Sequence, residues 1–180
     1  NVGLNTNGAG ATVDGAEFNA TVRPLRGLRL SANGAYNRSR LDGDTSPLVG
    51  GRKGDRLPFS PRYTLSLMGD YRWTVGDTTP VYVGASIRQL ARQSGAFDNA
   101  FRTAYGRHRE VASYNVLDAH VGAELGRWTV ELYGKNLGNR EGKTSTSTVT
   151  ANGANMYPNG AINTGVITPR TIGLTLTTEY

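Results

Sequence analysis

Along most of the chain, apolar and polar residues alternate one by one, which is the period of side chains on opposite faces of a β-strand. The alternation is cleanest from Tyr63. There Tyr63, Leu65, Leu67, Gly69, Tyr71 and Trp73 share one face, and Thr64, Ser66, Met68, Asp70 and Arg72 the other. The same period appears from Thr12 to Arg23, Leu28 to about Arg40, Val81 to about Arg92, Ser113 to about Ala123 and Trp128 to about Leu137. It returns from about Thr171, where Ile172, Leu174, Leu176, Thr178 and Tyr180 oppose Thr171, Gly173, Thr175, Thr177 and Glu179. Burying Asp70 and Arg72 in a dry core is costly, and so is leaving the opposite row in water. The pattern predicts strands with an apolar medium on one side and a polar one on the other.

The connections sharpen this reading. Pro24 to Gly27, Gly76 to Pro80 and Leu125 to Arg127 are short, whereas residues 41–62, 93–112 and 138–170 form long polar stretches. Short turns at one end and long loops at the other are the asymmetry of a transmembrane β-barrel. Strands of about 10–12 residues suit a tilted bilayer crossing and are long for a soluble domain. With the C-terminus on the periplasmic side, Trp73, Trp128 and Tyr180 fall at one rim and Tyr36, Tyr63 and Tyr114 at the other. Amphipathic rings favour membrane interfaces. The expected fold is therefore all-β, an antiparallel transmembrane barrel. Bacterial barrels have even strand numbers, and residues 1–10 read as loop. Seven strands thus predict the last part of a larger barrel, spanning 1–180 as one domain. Two other readings stay open here: a small closed outer-membrane barrel (porin or enzyme) with an eighth strand, and a soluble carbohydrate-binding β-sandwich.

Composition narrows the function classes. The hydrophobic fraction is 37% and the mean hydropathy −0.43, and no run of about 18 apolar residues exists to form a spanning helix. A barrel remains allowed because only alternate residues meet lipid. The 24 glycines, with abundant Thr and Asn, disfavour a helical domain. There is no cysteine, so disulfides and thiolate chemistry are excluded. The net charge is +6, yet the basic residues are scattered and no nucleic-acid signature appears. No nucleic-acid partner is expected. The chain starts at Asn1 with no signal peptide in view, which predicts a mature chain or a fragment. His120 and Asp118 offer a metal only two ligands, too few for a structural site. No metal, cofactor or catalytic constellation is expected, and the chain does not read as an enzyme.

The candidate binding residues are Arg52 and Arg56 on one long loop and Arg102, Arg107 and His108 on the next. Guanidinium forks match carboxylates, so these loops suit an anionic ligand. The same charges would also serve lipopolysaccharide phosphates or simply be solvated. On the polar face, Glu17, Asp70, Asp118, Glu124, Glu131 and Glu179 accompany Arg23, Arg29, Arg72 and Lys135. That set predicts a cross-strand ion-pair ladder or contacts to something filling the lumen.

Five pieces, in order, resemble the C-terminal barrel region of TonB-dependent outer-membrane receptors. They are Ala11-Thr-Val-Asp-Gly-Ala-Glu17, then Arg23-Pro24 with Gly27-Leu28, and Gly54-Asp-Arg-Leu-Pro-Phe-Ser-Pro61 with Thr64. The last two are Trp128-Thr-Val-Glu-Leu-Tyr-Gly-Lys-Asn-Leu-Gly-Asn139 and Pro169-Arg-Thr-Ile-Gly-Leu174 through the terminal ring. Tyr180 departs from the family's more usual Phe. The family's plug, its TonB-contacting box and most of its roughly 22 strands are not in this chain. The resemblance implies a receptor in the bacterial cell outer membrane that imports a scarce, bulky nutrient. Ferric siderophores are the commonest case; cobalamin, haem and glycans are others. It also implies coupling to the TonB complex through the plug, contact with outer-membrane lipid, and assembly-machinery recognition of the last strand.

Overall fold

The computed structural model describes residues 8–47, 49–148, 150–151, 154–155 and 162–179. Seven strands form one antiparallel sheet: β1 (Ala11–Leu25), β2 (Leu28–Leu41), β3 (Tyr63–Val75), β4 (Thr79–Leu90), β7 (Tyr114–Leu125), β8 (Trp128–Lys135) and β13 (Thr171–Thr178), adjacent in that order. The long connections carry the remaining elements. Between β4 and β7 lie β5 (Gln93–Ser94), helix α1 (Asn99–Tyr105) and β6 (Glu110–Val111). Between β8 and β13 lie β9 (Lys143–Thr148), β10 (Thr150–Ala151), β11 (Ala154–Asn155) and β12 (Ile162–Val166). No described helix is long and apolar enough to cross a membrane.

The register aligns the apolar rows across the sheet. Ala32 pairs with Leu67, Leu67 with Ile87, Ile87 with Leu117, and farther along Val121 with Leu132 and Leu132 with Leu174. Large apolar side chains on this face stay exposed, with Leu174 at 69%. A sandwich would stack this row against a second sheet. Among the described residues the strands instead make a single layer, so the sandwich reading is not what the chain adopts. The buried apolar residues, Leu41, Ala91, Val111 and Val116, all lie at the loop end of the wall. The wall itself has no dry interior.

Tyr36 and Tyr63 face each other across β2 and β3 on the apolar side. Trp73 stacks on Tyr71 with ring centroids 5.2 Å apart. Ten residue steps from Tyr63 to Trp73 span roughly 33 Å along the strand, or about 25 Å of depth at a barrel strand's tilt. That is the height of a barrel's apolar band.

The three short turns each close on a left-handed glycine: Gly27 (φ 81°), Gly76 (φ 61°) and Gly126 (φ 64°). Gly27 is constrained twice, because a Cβ there would also overlap the Arg72 carbonyl. The Arg72 N–H donates to the Gly27 carbonyl at 2.9 Å, tying the first turn to the second hairpin. The expected turn at Pro24–Gly27 is shorter than the residues suggest. β1 runs on to Leu25, and Pro24 sits where the register shifts between Val22 and Leu25. A bulge on an outer strand is where a sheet tolerates proline.

Four rings lie over the glycine directly opposite in the ladder: Tyr82 over Gly122, Tyr133 over Gly173, His120 over Gly84 and Phe18 over Gly34. Each glycine leaves a notch that a cross-strand ring fills. The notch at Gly122 lets the Tyr82 hydroxyl reach past one strand and donate to Glu131 Oε2 at 3.0 Å. Polar-face pairs also bridge strands. Arg72 lies 3.0 Å from Glu124, Arg88 3.8 Å from Asp118, and His120 3.6 Å from Asp70.

β8 ends at Lys135, two residues before the expected Leu137, because Asn136 turns into the left-handed region (φ 49°). Asn136 is 2% exposed. Its Nδ2 donates to the Arg140 and Thr168 carbonyls at 3.0 Å each, and its Oδ1 accepts from the Arg140 N–H at 2.9 Å. Its own N–H donates to Asp118 Oδ1 at 2.8 Å. One residue, through its backbone N–H and its side chain, thus joins the tops of β7, β8 and the approach to β13.

β1 and β13 are the two edges, and no ladder joins them among the described residues. As first and seventh of an alternating series they run parallel. The small closed barrel is therefore not formed, and the sheet is an open section of barrel wall.

Two outcomes follow. Leu67→Arg puts a charge at mid-height on the apolar face and should cost about 2–4 kcal/mol of bilayer stability, whereas Met68→Arg, facing the other way, should be near neutral. Denaturant unfolding of the protein in lipid vesicles would compare them, and equal costs would contradict this facing. Asn136→Asp turns an oxygen onto two carbonyls and should cost about 3 kcal/mol. A midpoint unchanged from wild type would show that the pin carries no load.

Candidate functional site

The long loops gather at one end of the wall and bond to one another. The Phe59 N–H donates to the Ser94 carbonyl at 2.8 Å, and the Ala96 N–H to the Thr146 carbonyl at 3.2 Å. Gln93, buried, donates from Nε2 to the Thr144 carbonyl at 3.3 Å. Three loops thus form one continuous cap.

Helix α1 organises its centre. Asp98 caps the N-terminus by accepting from the Phe101 N–H at 2.9 Å. Gly106, left-handed at φ 67°, closes the C-terminus through the Arg102 carbonyl. Asx N-caps and glycine C-caps are what let so short a helix stand. The helix presents Arg102 to Asp55 of the preceding loop. Arg102 Nη1 reaches Asp55 Oδ2 at 2.7 Å and Nη2 reaches Oδ1 at 2.9 Å, a two-bond fork. His108 Nε2 lies 3.0 Å from the same Oδ2, off the line of a good hydrogen bond. The Arg52 N–H donates to Oδ2 at 2.7 Å. The Asp55 and Arg102 side chains are 11% and 21% exposed, so this pair is far better shielded than a surface ion pair. Burial alone would push the Asp55 carboxyl up. The Arg102 fork, the Arg52 N–H and His108 together outweigh burial and hold it below the usual carboxylate value. Beside this latch, Arg109 Nε sits 3.2 Å from Asp98, and its guanidinium lies 4.2 Å above the Phe101 ring.

The expected binding residues separate into two groups. Arg102 and His108 come together on Asp55. Arg52 contributes its backbone to that carboxylate while its side chain is exposed, and Arg107 is exposed as well. Arg56 lines a cleft of about 520 Å³ with Arg62, Arg92, Tyr63, Ser94 and Glu110. Arg92 Nη1 lies 3.4 Å from Glu110 there. Of the expected interface aromatics, Tyr36 and Tyr63 stand on the apolar face at the loop end, and Trp73 and Trp128 at the turn end. Gln89 Nε2 lies 3.4 Å from the Tyr63 hydroxyl. Tyr114 has the polar-face parity, pairing with Leu90, and its ring crowds Gly142. Tyr180 lies outside the described residues. Sequence reasoning passed over Asp55, Arg62 and Arg92. Asp55 stood inside a quoted motif, and its distance from Arg102 along the chain hid their contact. Among the described residues no three His, Cys, Asp or Glu side chains gather as a metal site would require.

Asp55→Asn removes the fork's charge and leaves a shielded guanidinium, a loss of about 2–4 kcal/mol of loop order. Trypsin should then cut after Arg102 and Arg107 much faster, and unchanged cleavage would remove the latch. Because folding depresses the Asp55 value, the carboxyl's stabilisation is complete above the ordinary carboxylate range. It is lost as pH falls through the lower folded value. Loop protection should therefore hold at pH 5–7, about one unit or more above that range, and fail only in stronger acid.

The chain matches the family described as TonB dependent receptor-like, beta-barrel, over residues 1–137. No curated protein matches it. Among solved structures it is similar to the ferric yersiniabactin uptake receptor FyuA from Yersinia pestis, with 22% identity, a TM-score of 0.72 and coverage of 94% of this chain and 24% of that one. The siderophore receptor PiuA from Acinetobacter baumannii gives 17% identity, a TM-score of 0.66 and coverage of 92% and 21%. The ferric-catecholate import receptor Fiu from E. coli K12 gives 19%, 0.64, and 92% and 20%. The chain spans about a fifth to a quarter of the length of these receptors. The matched family and the two-faced, loop-capped wall agree: this chain belongs to the TonB-dependent receptor β-barrel family and forms barrel wall in the bacterial cell outer membrane.

Proposed function

We propose that the protein built on this wall imports a ferric siderophore across the outer membrane, driven through the TonB complex. The observation carrying this reading is the loop cap. Three interlocked loops stand over the wall and hold arginines around an open cleft. Guanidinium groups pair with carboxylate and catecholate oxygens. The solved structures similar to this chain include a ferric yersiniabactin receptor, a siderophore receptor and a ferric-catecholate receptor, which supports the same class of cargo. In this reading Arg56, with Arg62 and Arg92, meets the ligand. Arg52 and Arg107 attract it from solution, while Arg102 and His108 keep the cap in shape. Residues 1–180 supply the C-terminal part of the barrel. The plug domain and remaining strands come from elsewhere in the receptor, and the last strand with Tyr180 addresses the assembly machinery. The task is binding and gated passage, not bond chemistry.

The test is growth of a receptor-deletion strain on iron supplied as a panel of ferric siderophores. The full-length receptor should restore growth on at least one. Arg56→Gln should weaken binding of that complex about tenfold. Arg107→Gln should act mainly on the association rate and its salt dependence. Restored uptake of a non-iron nutrient alone would overturn the siderophore assignment.

A further inference from the structure

The arginine cleft at the loop end is not lined by cations alone. One side of it is the short β5–β6 ribbon, in which Gln93 pairs with Val111 and Ser94 with Glu110. Gln93 and Val111 share a face and are buried, at 6% and 1% exposed. Burial of that pair turns Ser94 and Glu110 the other way, and both line the cleft beside Arg92. Arg56 and Arg62 line it from the preceding loop.

Glu110 is the one carboxylate among the described lining residues. Its Oε2 accepts from Arg92 Nη1 at 3.4 Å, and the two side chains are 43% and 67% exposed. A pair this long and this open exchanges readily for another partner. Arg109, next along the chain, does not compete for Glu110, because it is turned to Asp98 at 3.2 Å. Among the described residues Arg56 and Arg62 belong to no ion pair. Three guanidinium groups thus surround a single, loosely held acid.

We infer that Glu110 sets the selectivity of this cleft, so that it takes anions carrying a hydroxyl or ammonium donor beside their acid groups and disfavours anions that can only accept. Guanidinium groups by themselves favour any polyanion and rank ligands mainly by charge. An ionised carboxylate among them can only accept. An acid group that takes Arg92 from Glu110 comes within reach of that carboxylate, and like charges brought together are costly. A proton donor next to the incoming acid turns this repulsion into a hydrogen bond, replacing the one Glu110 gives up. Selectivity of this kind comes from the repulsive element as much as from the attractive ones. It rests on the cargo-binding role proposed for the cleft and is independent of iron.

The test titrates the protein in mild detergent, near neutral pH, with citrate and with tricarballylate, and reads each Kd by calorimetry. The two anions carry the same carboxylates and differ by citrate's hydroxyl. Wild type should bind citrate about tenfold more tightly. Glu110→Gln should tighten tricarballylate and bring the two constants to within about twofold. Glu110→Asp, which keeps the charge, should keep the preference for citrate. Arg92→Gln should weaken both anions. Arg26→Gln, at the turn end of the wall, should change neither constant. An unchanged preference in Glu110→Gln would overturn the inference, as would a wild type that binds both anions equally or binds neither. Growth on ferric siderophores judges the import reading separately. A shifted preference without growth would sink that reading alone, and growth with an unshifted preference would sink only the role of Glu110.

Discussion

A sheet one layer thick has no interior, so its peptide groups can be satisfied only by its own neighbours. In hydrocarbon, where water does not reach, an unpaired N–H or carbonyl costs several kcal/mol. Continuity of the ladder from β1 to β13 is the constraint on which everything else depends. It fixes the register, and register decides which side chain meets lipid and which meets the lumen. The free edges of β1 and β13 need strands to pair with in the assembled barrel, just as the apolar face needs its bilayer.

Within that constraint, small residues do mechanical work. The notches at Gly122, Gly173 and Gly84 let rings lie flat along the inner surface. Polar groups are thereby carried sideways, so the Tyr82 hydroxyl meets a carboxylate on a strand beyond its own neighbour. Charges that look isolated on one strand find partners on another, as Arg72 does with Glu124. The inner face is held by links that cross strands, the outer face by the medium around it.

The strands were legible in the residues because lipid and lumen impose a period of two over ten or more positions, broken only by Met68 from Tyr63 to Trp73. The ends were less legible. Pro24 reads as a turn former, and only the bulge explains how β1 continues through it. Asn136 reads as part of a strand until its left-handed backbone and its three side-chain bonds are seen. The site was legible only as a set of loop arginines. Nothing local distinguishes Arg102, forked onto Asp55, from Arg107, which is exposed. That distinction depends on residues 47 positions apart, beyond the reach of any short pattern. Tyr114 differs from Tyr63 in parity, since counting back by twos from Asp118 and His120 along its own strand puts it on the polar face.

The Asp55–Arg102 fork also bears on how such receptors can be recombined. It joins a carboxylate from one surface excursion to a guanidinium from the next. A chimaera that swaps a single excursion between relatives would strand one half of the couple under a cover built for both. Transplants would have to move the two segments together, and evolution faces the same rule when it diversifies this rim.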